Sequence, residues 1–270
     1  MAHYGCSEEN LYFSLAAIKE ITKRFSAEDA IRYFINSFPS QTLTVLNEWA
    51  TDSNYHVRRL CSEGTRPKLP WSQKISIQPE LMLPILNQLF ADPTRYVTRS
   101  VANHLNDLSK IQPDLVISTL ENWQKSGQQK PAEMAFLCKH SLRTLVKNAN
   151  QTAISMLGFS DSEGISVAEL THQNSVKIGD YLHFSFKIET NQAKNMVIDY
   201  ILHFQSKNGT LSNKKVFKLK TADVGENQSI FIEKRHFFKG DMTTRQLYRG
   251  AHKIEIQVNA TILAAFEFEL

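Results

Sequence analysis

An array of α-helical hairpins followed by an all-β sandwich is the architecture this sequence predicts, and three observations predict it. Near residue 160 the hydrophobic period changes, from apolar residues recurring at three and four to apolar residues alternating with polar ones. The first part repeats itself at a step of about 40 residues. The second part is punctuated by turn dipeptides at short, regular spacing. The expected boundaries are residues 1–160 for the helical domain and 161–270 for the β domain.

In the helical part, Leu46-Asn47 followed by Asp52, Val57 and Arg59 matches Leu86-Asn87 followed by Asp92, Val97 and Arg99. One further step reaches Lys139. A period of this length belongs to HEAT-like helical hairpins, each stacking on its neighbours as a solenoid. Helix-breaking residues fall between the segments: Gly64 with Pro67 and Pro70, Asp92-Pro93, and Gln112-Pro113. In the β part, Leu182, Phe184, Phe186 and Ile188 alternate, as do Met196, Ile198, Tyr200, Leu202 and Phe204. Shorter runs follow around Phe217 and Leu219, Ile230 and Ile232, Ile254 to Val258, and Phe266 to Leu270. Turns are expected at Gly179-Asp180, Asn208-Gly209 and Gly225-Glu226. This rhythm fits a small sandwich of immunoglobulin type, without the cysteines or tryptophan of an antibody domain.

The 270 residues, 42% hydrophobic and 21% charged, suffice for a core in each domain. A formal net charge of +4 is compatible with an acidic ligand without requiring one. Cys6, Cys61 and Cys138 lie too far apart in sequence for a C-x-x-C pair, so neither a disulfide framework nor a structural zinc is expected. A reducing, cytoplasmic setting is expected instead. The first residues lack a basic patch followed by an apolar stretch, and no apolar run has the length of a membrane span, so neither secretion nor membrane association is expected. Nucleotide-binding glycine loops, nucleophile elbows and zinc-protease motifs are absent, and the nine histidines show no metal-ligand spacing.

Charge is patterned on the helices. From about Tyr96 to Lys110, Val97, Val101, Leu105 and Leu108 form a buried stripe, while Arg99, Asn103 and Asp107 form a polar one at i, i+4 spacing. Arg59 and Glu63 occupy the matching places one repeat earlier. Stacked repeats align Arg59, Arg99 and Lys139 as a row of cations, which Arg58, Arg66, Lys68, His140, Arg143 and Lys147 extend. Such a row suits a phosphate backbone; a solvated polar face on a protein scaffold is the competing reading. Two carboxylates stand among these cations. Glu28 lies between Ser26 and Asp29, which have capping-box spacing, and is open to being only a helix-start acid. Asp107 is open to being a solvated group or an ion-pair partner. Trp71 follows a proline-rich loop, and a buried anchor between repeats is its plainer role. Trp49 and Trp123 lie on helical stripes and read as core, and Cys61 and Cys138 as inert packing.

Several strings resemble the AlkC branch of the HEAT-repeat alkylpurine DNA glycosylases. They are Thr22-Lys23-Arg24-Phe25-Ser26-Ala27-Glu28 with Ala30-Ile31-Arg32, His56 through Gly64, Arg66-Pro67-Lys68-Leu69-Pro70-Trp71, Tyr96-Val97, Ser100 through Asp107, and Lys139-His140 with Leu142 through Leu145. In the β part, Lys215 through Lys220, Lys234-Arg235-His236-Phe237 and Thr243-Thr244-Arg245 resemble the same family's C-terminal immunoglobulin-like domain. The resemblance runs through both domains in order. Members of the branch usually begin with additional N-terminal helices, and this chain starts inside that layout.

The resemblance implies removal of cationic N-alkylated bases, notably 3-methyladenine and 3-methylcytosine, from duplex DNA without base flipping. It places Glu28, Asp107 and Trp71 where the family keeps its active-site carboxylates and aromatic residue. It implies no metal and no cofactor, a monomer acting at the nucleoid, and damaged double-stranded DNA as partner. DNA contacts are expected from Arg58, Arg59, Arg66, Arg99, Asn103, Lys139, His140, Arg143 and Lys147. On the β domain, a clamp of Lys215, Lys218, Lys220, Arg235, Arg245 and Arg249 is expected, with exposed strand charges as the alternative. A catalytically silent DNA binder or a protein scaffold is the competing class; Glu28, Trp71 and Asp107 together favour an enzyme.

Overall fold

The computed structural model describes residues 2–243 and 245–270, with the backbone alone for His3. Thr244, inside the string Thr243-Thr244-Arg245, lies outside the described residues, as does Met1. Contacts group the chain into two compact units, Met1–Leu145 and Val146–Leu270.

The first unit is helical. In chain order it contains α1 (Ala2–Gly5), α2 (Leu11–Thr22), α3 (Glu28–Ser37), α4 (Pro39–Trp49), α5 (Tyr55–Glu63), a 3₁₀ turn (Pro79–Met82), α6 (Leu83–Leu89), α7 (Arg95–Leu108), α8 (Pro113–Ser126) and α9 (Pro131–Ser141). Then come α10 (Arg143–Lys147) at the boundary and α11 (Gln151–Met156) in the second unit. Prolines open α4, α8 and α9, where a missing N–H costs nothing, and Gly127 closes α8 at φ +63°. The repeating unit is the pair α4/α5, then α6/α7, then α8/α9, and α7 packs on both α5 and α9. Val97, Val101, Leu105 and Leu108 are wholly buried, as their spacing requires.

The repeated aspartate has a local cause. Asp52 accepts from the Asn54 N–H and Asp92 from the Thr94 N–H, both at 2.8 Å, so each closes the turn before the second helix of its repeat. Each also takes a cation from an earlier helix: Lys19 meets Asp52 at 2.6 Å, and Arg58 meets Asp92 at 2.5 Å. Arg58 further donates to the carbonyls of Asp52 and Ser53. The expectation that Arg58 extends the cation row is therefore corrected. Its guanidinium stitches two repeats together, and a buried bidentate partner holds it there.

Gly64 ends α5 in a right-handed conformation, φ −66°. It is not needed for a left-handed turn. A Cβ placed there would lie 2.5 Å from Ile31 Cγ2, so glycine is required by the close approach of α3. The capping box does not form: Ala27 stands at the N-cap of α3 without a side-chain bond, because Ser26 accepts from Arg59 and Asp29 from Ser72.

The second unit is a sandwich of two antiparallel sheets. Its strands are β1 (Ile165–His172), β2 (Tyr181–Thr190), β3 (Lys194–Phe204), β4 (Asn213–Val224), β5 (Ser229–Phe237), β6 (Ala251–Val258) and β7 (Thr261–Glu269). They are ordered β1-β2-β5 and β4-β3-β6-β7. The expected inward residues of β2 and β3, from Leu182 to Phe204, form one core. Strand β3 departs from simple alternation, since Val197, Asp199 and Ile201 on its other face are buried too. Gly179 and Gly209 turn at positive φ as expected, whereas the β4–β5 turn uses Asn227 at φ 55° rather than Gly225.

A chain of alternating charge on the helical unit

One continuous ion-pair chain crosses three helices of the first unit. Glu28, the first residue of α3, meets Arg59 of α5 at 3.8 Å. Arg59 meets Glu63, one turn further along α5, at 3.7 Å. Glu63 meets Arg66 at 2.6 Å, and Arg66 meets Asp107 of α7 at 2.7 Å. Lys110 closes the chain on the other Asp107 oxygen at 2.9 Å. The helical period produces this order: residues three or four apart on α5 share a face, and stacking brings the matching face of α7 alongside. Ser100 of α7 adds a 2.6 Å hydrogen bond to Glu63.

The two expected carboxylates differ in how they are held. Asp107 is 6% exposed and accepts from Arg66 Nε and Nη2 on one oxygen and Lys110 on the other. The solvated role considered for it is thus excluded, and it is a buried ion-pair partner. Burial works against the Arg66 charge, yet Glu63 and Asp107 together raise its pKa above the usual guanidinium value. Glu28 keeps one oxygen, Oε2, buried without a hydrogen-bond partner among the described residues. It faces Arg59 Nη1 across 3.8 Å.

Trp71 is 66% exposed, whereas Trp49 and Trp123 are 7% and 4% exposed and belong to the core. The buried-anchor role falls instead to Leu69, two residues earlier. The segment bearing Trp71 lies along α3. Ser72 donates to Asp29 at 2.5 Å, and Asn36 holds both the Lys74 carbonyl, at 2.9 Å, and the Ser76 N–H, at 3.0 Å.

Beside the chain stands a second polar cluster. His140 Nε2 and Arg143 Nη2 share the Asn103 side-chain oxygen at 2.9 and 3.1 Å. Burial, then Arg143, Arg99 and Arg66, push the His140 pKa down to about 4, so it is neutral at pH 7. His104, fully buried beneath the chain and bonded to the Ser62 carbonyl, is likewise lowered to about 4 by burial. Arg99 and Lys139 are exposed and make no ion pair among the described residues. Arg59 stacks on Tyr96, 4.6 Å from the ring centre.

In the second unit Lys147 lies with Lys214 and Lys215 around a cleft of about 670 Å³. Lys215, Lys218 and Lys220 are exposed on β4, Arg235 on β5 and Arg249 in the loop before β6, while Arg245 is half-buried against Phe204. Sequence spacing offered Asp29 only as half of a capping box and did not single out Arg32 and Asn36. Their i, i+3, i+7 spacing marks one face of a helix, yet nothing local shows what that face grips. Among the described residues no group of histidines, cysteines and carboxylates has metal-binding geometry, and no helix is long and apolar enough to cross a membrane.

The sequence pattern described as "DNA alkylation repair enzyme" matches residues 7–148. This chain belongs to that family. The pattern described as "Uncharacterised protein YhaZ, C-terminal Ig-like domain" matches residues 166–270, so the family's helical part is followed here by the Ig-like domain. YhaZ of Bacillus subtilis strain 168 is 32% identical over 261 residues, covering 95% of this chain and 71% of its own. A solved structure of the Pseudomonas fluorescens alkylpurine DNA glycosylase AlkC, bound to DNA containing an abasic site analog, is 36% identical. It matches with a TM-score of 0.93 over 100% of this chain and 76% of its own. Membership and fold are those the sequence strings implied.

Proposed function

We propose that this chain is a monofunctional DNA glycosylase that hydrolyses the N-glycosidic bond of cationic alkylated bases, 3-methyladenine and 3-methylcytosine, in duplex DNA. The observation carrying this reading is the charge chain from Glu28 to Asp107 on a family member whose relative AlkC is an alkylpurine DNA glycosylase. A base alkylated on a ring nitrogen leaves as a neutral molecule and needs no protonation. The barrier lies in the cation that develops at the sugar C1′ and in delivering water to it. Fixed carboxylates favour that developing charge over the ground state. Asp107, locked by Arg66 and Lys110, suits an electrostatic role that needs no reorganisation. Glu28, which Arg59 approaches only to 3.8 Å, suits orienting and deprotonating the water. The exposed Trp71 face offers a cationic base about 0.5–2 kcal/mol of cation–π attraction.

Phosphate contacts fall to Arg99 and Lys139, with Arg59, Asn103, His140 and Arg143 beside them; Arg58 and Arg66 are instead committed to carboxylates of the protein. Lys147 extends this row from α10, and the β domain adds a clamp through Lys215, Lys218, Lys220, Arg235, Arg245 and Arg249. An exposed basic surface with the base read from outside the stack fits excision without flipping.

Release of both bases from methylated duplex DNA by wild type, Asp107→Asn and Glu28→Gln tests the reading. Expected is release by wild type that falls on the order of 100-fold or more in each variant, with undamaged-DNA affinity kept. Binding by wild type without release would leave a silent damage binder. For the clamp, reversing Lys215, Lys218 and Lys220 to Glu should flatten the dependence of log affinity on log salt by up to about 3; an unchanged slope removes β4 from the interface.

A further inference from the structure

We infer that Arg32 is the positioning residue of this site: it ties the loop that carries Trp71 to the helix that begins at Glu28, and so fixes the indole relative to that carboxylate. The inference rests on the reading that Trp71 and Glu28 serve base excision.

Arg32 is the largest fully buried side chain among the described residues. Its Nε donates to the Gln73 carbonyl at 2.6 Å, and its Nη1 donates to the carbonyls of Gly64 at 3.1 Å and Arg66 at 2.8 Å. All three acceptors belong to one loop. Gly64 and Arg66 stand at its start and Gln73 stands past Trp71, so a single guanidinium holds the backbone before and after residue 71. The same Arg66 holds Asp107 through its side chain. Arg32 thereby ties together Glu28 on its own helix, the Trp71 loop and the residue that grips Asp107.

A buried cation kept for stability alone is ordinarily paired with a carboxylate. Arg32 has no such contact among the described residues, and its Nη2 has no hydrogen-bond partner there. Burial lowers its pKa, opposed only at a distance by Asp29. What the guanidinium supplies is geometry: a rigid planar fork of donors aimed at carbonyls in different directions, which a lysine ammonium on a flexible stem cannot reproduce. Asp29 and Asn36 fasten the same loop from the same helix face, at the exposed end of the seam.

The full-length protein labelled with 5-fluorotryptophan gives one ¹⁹F resonance per tryptophan, with Trp71 assigned by Trp71→Phe. In Arg32→Lys the Trp71 resonance is expected to shift and broaden while those of Trp49 and Trp123 stay in place. Single-turnover release of 3-methyladenine should fall on the order of 10- to 100-fold, with affinity for undamaged duplex within about twofold. In the Trp71→Phe background the same substitution should cost about twofold or less, because the indole it positions is already gone. An unmoved Trp71 resonance, or costs that multiply in the double variant, overturns the inference. Should Arg32→Lys fail to fold, Asn36→Ala at the exposed part of the seam takes its place, with the same selective shift expected and an unmoved resonance again overturning it. If wild type releases no base, the glycosylase reading fails, and the ¹⁹F comparison still decides whether α3 sets Trp71.

Discussion

At the scale of single residues, Gly64 shows how packing overrides propensity. Alanine at the end of α5 would gain about 1 kcal/mol of helix propensity, but its Cβ would sit 2.5 Å from Ile31 Cγ2. Overpacking of this kind costs about 1–3 kcal/mol. Gly64→Ala is therefore expected to lower the urea midpoint, and less so in an Ile31→Leu background, which lacks that methyl. Arg66 makes the opposite case, a group whose loss strands others. Removing it leaves Glu63 and Asp107 as buried carboxylates short of a partner. Arg66→Ala should cost about 3 kcal/mol in equilibrium unfolding; a cost below about 1 kcal/mol would mean that water reaches both carboxylates freely. Of the residues singled out in the sequence, Arg59, Glu63 and Asp107 come onto one surface because the repeat stacks matching helix faces, and Glu28 and Arg66 join them from a helix start and a loop. Arg58 does not join them, since nothing in the repeat distinguishes a cation facing a ligand from one facing the next repeat's aspartate.

Elements obey the same logic with more neighbours involved. The alternation of β2 was readable because one face is core and the other solvent. Strand β1 was not readable: a bulge between Ala168 and Thr171, with Glu169 at φ 51°, breaks its period on an edge strand. Strand β3 is buried on both faces, which leaves Asp199 out of water. Burial raises its pKa to about 6, with Lys218 and Lys147 opposing. The folded carboxyl thus keeps its proton up to about pH 6, while the unfolded one loses it near 3.8. The folded state binds more protons across that window, so stability falls as pH rises through it. Asp199→Asn should accordingly stabilise the β unit at pH 8 by about 1–3 kcal/mol, and the gain should vanish near pH 4. A gain that is the same at both pH values would show that Asp199 is not held protonated.

Across the whole molecule, histidines set the response to acid. His104, His140 and His236 are held near pKa 4, chiefly by burial, and His252 is lowered too. Unfolded histidines take protons near 6.5, so the unfolded chain binds more protons below that value and stability declines from about pH 6.5 toward 4. Thermal unfolding monitored from pH 7.5 to 5 should show the helical unit weakening steadily, with His104→Gln flattening the trend; no change over that range would contradict the burial of these rings. The two-part architecture was legible at this scale because the hydrophobic period differs between the parts, and a period survives many local surprises. The grip of α3 on the Trp71 loop was not, since it joins residues about 40 apart through backbone carbonyls, which carry no residue identity.

The placement of the thiols has a chemical consequence for a member of the DNA alkylation repair family. Methylating agents attack soft nucleophiles, and a thiolate outcompetes nearly every other group in a protein. Cys61 and Cys138 are buried, and burial pushes both thiols up, Cys138 to about 11, so almost no thiolate exists at neutral pH. Only Cys6 is partly exposed. Peptide mass spectrometry after exposure to a methylating agent should find Cys6 modified well ahead of the other two. Methylation by such an agent would thus fall on Cys6, between α1 and α2, and leave the packed interior of the helical unit unaltered.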